Sequence, residues 1–125
     1  YRARKELSRT DTPYGTIVQD VPVVFANGKE GVLGFQNPLA FFHHNCNASE
    51  HYARIVAAAL DKSPCSPQAP WRIILYQDGV DPSDGLSNNH SRSSCVFYWS
   101  FAEYGMHALC HGEVWGRICV MRKTE

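Results

Sequence analysis

Apolar and polar positions alternate in some stretches of this chain, repeat at helical spacing in others, and mass together in a few. Tyr14–Gln36 predicts a β-hairpin. Thr16-Ile17-Val18 and Val21–Phe25 supply its branched residues, and Asn27-Gly28 is the strongest short hairpin signal, because both central residues of a type I′ turn require φ > 0. That turn pairs Ala26 with Lys29 and Val23 with Val32. Pro22 cannot donate to a ladder, so its strand is expected to lie at an edge or to start late. Asn37-Pro38 then fits an N-cap with Pro at the first helical position, opening a short turn through Leu39, Phe41 and Phe42. Asn47-Ala48-Ser49-Glu50 is a better helix start, an Asn cap with Glu at the third helical position. It predicts one amphipathic helix over about residues 48–61, with Tyr52, Ile55, Val56, Ala59 and Leu60 repeating along one face. Pro64 and Pro67 end it, and Ser63–Pro70 is a stiff linker.

Massed apolar runs dominate the second half. Trp71–Leu86 opens with Ile73, Ile74, Leu75 and Tyr76 and then reaches a loop with three carboxylates, Asp78, Asp81 and Asp84, among Gly79, Pro82, Ser83 and Gly85. Cys95–Phe101 is bulky on both faces, as an inner strand covered on both sides would be. A brief helical turn is predicted at Met106–Cys110, and Val114–Met121 makes a last strand. The fold class is α/β of the α+β kind: an N-terminal hairpin, one helix, then a three-stranded antiparallel meander over 71–77, 95–101 and 114–121. One domain is expected over 1–125, with a basic arm (1–13), a hairpin-plus-helix segment with its linker (14–70) and a sheet core (71–125).

Composition alters this little. At 125 residues, 44% hydrophobic and 19% charged, the chain has the content of a globular domain and the length for one core, not two. Twelve basic and twelve acidic residues cancel, so no global field recruits nucleic acid. The apolar runs fall far short of the roughly 20 residues that span a bilayer, so no membrane partner is expected. Tyr1 is not an initiator Met and the chain stops straight after a strand-like run, which reads as a fragment of a longer protein. The arm carries Arg2, Arg4, Lys5 and Arg9 against Glu6 and reads as solvated and frayed. Five cysteines with irregular spacing and no CxxC pair read as reduced thiols, which favours an intracellular setting. The sequons at Asn47 and Asn89 are short enough to arise by chance.

Asp78 is the main candidate for chemistry. In extended backbone it shares a face with Ile74 and Tyr76, where a carboxylate at the end of a buried strand suits the first ligand of a magnesium site. Equally, it can end the strand by bonding its own backbone in an Asx-turn. Asp81 and Asp84 fit a turn better than a metal site, since D-x-x-D-x-x-D-G misses the alternate-position ligands of a calcium loop. His90 and Arg92, on the connection returning beside Asp78, are candidates for proton transfer and for holding phosphate. His43, His44, Cys46 and His51, and likewise His107, Cys110 and His111, match no usual zinc spacing, so no zinc site is assigned.

The ILYQDGVDPSDGL…NHSRSSCVFYWSF pattern within Trp71–Phe101 resembles uncharacterised multicopy proteins of dinoflagellate genomes. More distantly it resembles the segment opening the catalytic core of some cut-and-paste transposases, where a hydrophobic P-x-x-L-Y-x-D strand precedes an Asn/Gly loop and an aromatic strand. That resemblance covers roughly the last 55 residues. It implies a ribonuclease-H-like sheet whose first strand bears the first acid of a metal-binding triad, here Asp78. It further implies an intact parent, intracellular and nuclear, that uses Mg2+ to cleave or join DNA phosphodiesters, with His90 and Arg92 contacting substrate. The remaining acids of a triad would lie on later elements, so the fragment itself is expected to be inactive. The competing expectation is a non-catalytic interaction module in which Asp78–Gly85 is only a turn and an exposed sheet edge pairs with a partner chain.

Overall fold

The computed structural model of the chain describes residues 9–80 and 94–122. Two short strands, β1 (Asp11–Thr12) and β2 (Gly15–Thr16), form a tight antiparallel ribbon, so the last residues of the expected arm are folded. Ile17, only 1% exposed, pins this ribbon: its N–H donates to the Thr10 carbonyl and its own carbonyl accepts from Asn37 N–H. The hairpin follows as β3 (Val18–Val24) and β4 (Glu30–Gln36).

Its register differs by one residue from the type I′ expectation, with Val23 opposite Gly31 and Pro22 opposite Val32. Among non-glycine residues described, none has positive φ, while Gly28 sits at φ 81°. Gly28 N–H donates to the Phe25 carbonyl, Phe25 N–H donates to the Lys29 carbonyl, and Asn27 Oδ1 accepts from Lys29 N–H. The loop is therefore three residues long, a right-handed turn closed by a single left-handed glycine. Asn27 is held right-handed by its own side-chain bond, and the slip follows.

Two helices come next, α1 (Pro38–Ala48) and α2 (Glu50–Lys62). The Asn37-Pro38 signal predicts only a turn where α1 runs for eleven residues. Asn37 caps it, accepting from Leu39 and Ala40 N–H, and the helix runs on to Ala48 because no breaker intervenes. Asn47 thus belongs to the last turn of α1, its Nδ2 donating to the His43 carbonyl. Ser49 rather than Asn47 caps α2, accepting from Tyr52 N–H. The predicted apolar face buries Tyr52, Val56 and Ala59, but Leu60 is 42% exposed, since it lies at the margin of the stripe when successive residues turn by about 100°.

The second half is the antiparallel meander foreseen. Strands β5 (Ile73–Val80), β6 (Ser94–Phe101) and β7 (Gly116–Arg122) pair in that order. Between β6 and β7 lie a 3-10 turn at Ala102–Tyr104, the short helix α3 (Gly105–Leu109) and a second 3-10 turn at Gly112–Val114. The core joins α2 to this connection: Tyr52, Val56, Ala59, Tyr104 and Val114 are buried together, with Phe42, Cys46, Ile55, Trp71 and Phe101 around them. Phe101 meets Phe42, Trp71, Trp99 and Tyr104 edge-on. The chain is thus an α+β fold with an N-terminal hairpin, helices and a closing three-stranded sheet. Among the described residues no helix is long and apolar enough to cross a membrane.

Candidate functional site

The strand carrying Asp78 is neither buried nor ended by it. β5 pairs only with β6 among the described residues, and Asp78 sits inside the ladder opposite Val96, with Gly79 and Val80 continuing opposite Cys95 and Ser94. Ile73 is 61% exposed, Leu75 71% and Tyr76 53%. A run of branched residues reads as a buried strand when its burial is inferred from composition, yet here it forms a sheet margin. At its start Trp71 leaves the strand, turning its indole into the core so that Nε1 donates to the Ser63 carbonyl.

The period-2 expectation for facing holds. Tyr76 and Asp78 share the face that also presents Tyr98, Trp115 and Arg117, and with Gly112 these line a shallow cleft of about 690 Å³. The Tyr76 ring lies 6.2 Å from both Tyr98 and Trp115, and Trp115 is fixed by its indole N–H donating to the Leu109 carbonyl. A bulge between Phe97 and Tyr98 brings Arg117 opposite Tyr98, aiming it into the cleft. Asp78 makes no hydrogen bond or ion pair with the described residues, Arg117 included.

Asp81, Asp84, His90 and Arg92, also singled out from sequence, lie outside the described residues. Among the described residues no three His, Cys, Asp or Glu side chains gather to hold a metal ion. Magnesium usually keeps one or two carboxylates plus further oxygen ligands, and the other charged residue lining the cleft with Asp78 is Arg117, not a second acid. The described residues therefore do not fit a magnesium centre by themselves. His43 packs edge-on against Tyr14, and His51 Nε2 stands 3.2 Å from Glu113 Oε2 at the surface. His107 and His111 contact each other, and all five cysteines are free. Partial burial against the core pushes the Cys46 thiol up from its ordinary pKa, and burial does the same to Cys119.

Trp115 and Arg117 were missed from sequence. Their approach to Tyr76 depends on the bulge and on the turns that precede β7, neither of which local patterning announces. No protein-family profile, curated protein or solved structure matches this chain.

Proposed function

We propose that this domain is an interaction module that takes up an extended segment of a partner chain along the open edge of β5. One observation carries the reading: among the described residues an eight-residue strand, IILYQDGV, pairs on one side only and exposes Ile73, Leu75 and Tyr76. Protein sheets usually blunt such a margin with Lys, Pro, a short strand or a covering element. β5 has no Lys, Arg or Pro, carries Asp78 as its one charge, and is as long as the central strand. By contrast, β3 carries Pro22, and β7 carries Arg117 and lies near β4. Added strands gain main-chain hydrogen bonds along the edge and specificity from alternate side chains.

The test is selection of a displayed library of random twelve-residue peptides on the immobilised domain, followed by amide NMR mapping. Binders that perturb residues 73–79 support edge uptake. Binders mapping elsewhere, or none at all, refute it.

A second reading keeps the acid. In a longer parent of transposase type, Asp78 would be the first carboxylate of a magnesium site serving DNA phosphodiester cleavage or strand transfer. What favours it is the placement of Asp78 on an open face of the first strand of an antiparallel meander. Other acids would have to come from outside the described residues. Titration with Mg2+ tests it: shifts centred on Asp78 and lost in Asp78→Asn support the reading, and their absence in a parent chain refutes it.

A further inference from the structure

We infer that the segment taken up by β5 carries a Lys or Arg placed beside Asp78, with branched aliphatic residues three and five positions away. This rests on the edge-uptake reading above and specifies its ligand. Side chains of an added strand fall alternately on the two faces of the sheet. Those beside Ile74, Tyr76 and Asp78 lie over the cleft face, whereas those beside Ile73, Leu75 and Gln77 lie on the opposite one. On the cleft face an incoming residue next to Asp78 meets an exposed carboxylate with no partner among the described residues. Two residues further it meets the Tyr76 ring.

A cation suits both groups, since opposite charges across a ladder attract and an ammonium or guanidinium is drawn to an aromatic face. The cleft's other charged lining residue, Arg117, is on β7, beyond Tyr98. It therefore steers a second cation toward the Asp78 side. On the opposite face, Ile73 and Leu75 stand exposed to solvent at 61% and 71%, and apolar side chains at odd spacing from the cation would cover them. Glu or Asp beside Asp78 would instead set like charges together, which destabilises a ladder.

The same peptide selection decides the point. Among binders mapped to residues 73–79, the position beside Asp78 should be enriched in Lys or Arg. Replacing that residue by Glu in a synthetic peptide should weaken binding about tenfold, and Asp78→Lys should reverse the preference. Binders that occupy β5 with no basic preference overturn this inference and leave edge uptake standing. Binders mapping elsewhere, or none, overturn both. Sedimentation of the domain alone supplies the remaining arm: self-association abolished by Leu75→Lys would make a second copy the occupant and also overturn the inference.

Discussion

The hydroxyls of Tyr52 on α2 and Tyr104 after β6 lie 3.0 Å apart, and the two residues are only 5% and 8% exposed. Changing one to Phe leaves the other hydroxyl buried without its partner, at a cost of about 1–3 kcal/mol. Changing both removes donor and acceptor together, so the double variant should be no less stable than the worse single one. The cycle should then show a coupling of about 1–2 kcal/mol, measured by urea unfolding with unchanged m-value. The pair also predicts a pH response. Burial raises the pKa of each phenol above its ordinary value of 10.0, though for Tyr52 the Tyr104 hydroxyl partly offsets it. A group raised in the folded state contributes its full stability below the unfolded pKa. That contribution falls as pH climbs past 10, because the unfolded chain then ionises while the folded one does not. Each tyrosine adds a slope that rises toward about 1.4 kcal/mol per pH unit as its unfolded form ionises. The Tyr52→Phe/Tyr104→Phe variant should lose stability more slowly than wild type between pH 10 and 11. Additive single effects together with an unchanged alkaline slope would refute the buried pair.

Three further substitutions probe the frame. A Cβ at Gly116 would stand within van der Waals overlap of Nε1 and Cε2 of Trp99, which is 4% exposed. Gly116→Ala should therefore cost about 1–3 kcal/mol by overpacking and lower Tm by about 5–15 °C in a thermal melt. Asn37 caps α1 while its Nδ2 donates to the Tyr14 carbonyl across 3.0 Å. Asn37→Ala should accordingly lower stability by about 1–2 kcal/mol in urea, with Asp restoring the cap but not the donor. Glu103, with a side chain 10% exposed, accepts from the backbone N–H and Nε of Arg72. Burial works to raise its pKa, but the Arg72 bonds prevail and hold the carboxyl below its ordinary 4.5. A depressed group stabilises above that value and loses its contribution as pH falls through the folded pKa. The gap between wild type and Glu103→Gln should shrink on acidification below about pH 4.5.

What the sequence disclosed depended on whether the signal was local. The α2 face was legible because its packing repeats at helical spacing, and the meander because its runs are long and interrupted by polar connections. The hairpin register was not: Asn-Gly is compatible with two loops, and the bond from Lys29 N–H to Asn27 Oδ1 decides between them. The extent of α1 escaped notice because its histidines and asparagines look like loop composition, while Ala40, fully buried, and half-buried Phe42 hold it down. The candidate site was half legible. Tyr76 and Asp78 were placed on one face by alternation alone, but burial of β5 was misjudged, since hydrophobicity reports what a strand would prefer and says nothing of what covers it.

The two readings of Asp78 make different demands on Arg117. A magnesium centre needs further oxygen ligands to converge on Asp78, and a guanidinium lining the same cleft opposes a cation there. Arg117→Gln should therefore strengthen magnesium binding if a metal is the occupant. Under edge uptake, Arg117 acts from β7 on the same cleft and its removal relaxes the placement of the basic side chain without touching the ladder. Arg117→Gln should then leave occupancy of residues 73–79 intact while broadening the basic preference toward Tyr98. A variant that shifts neither metal affinity nor peptide preference would mean that the cleft face takes no part, and that β5 would recruit its partner through its backbone and the exposed side chains of Ile73 and Leu75.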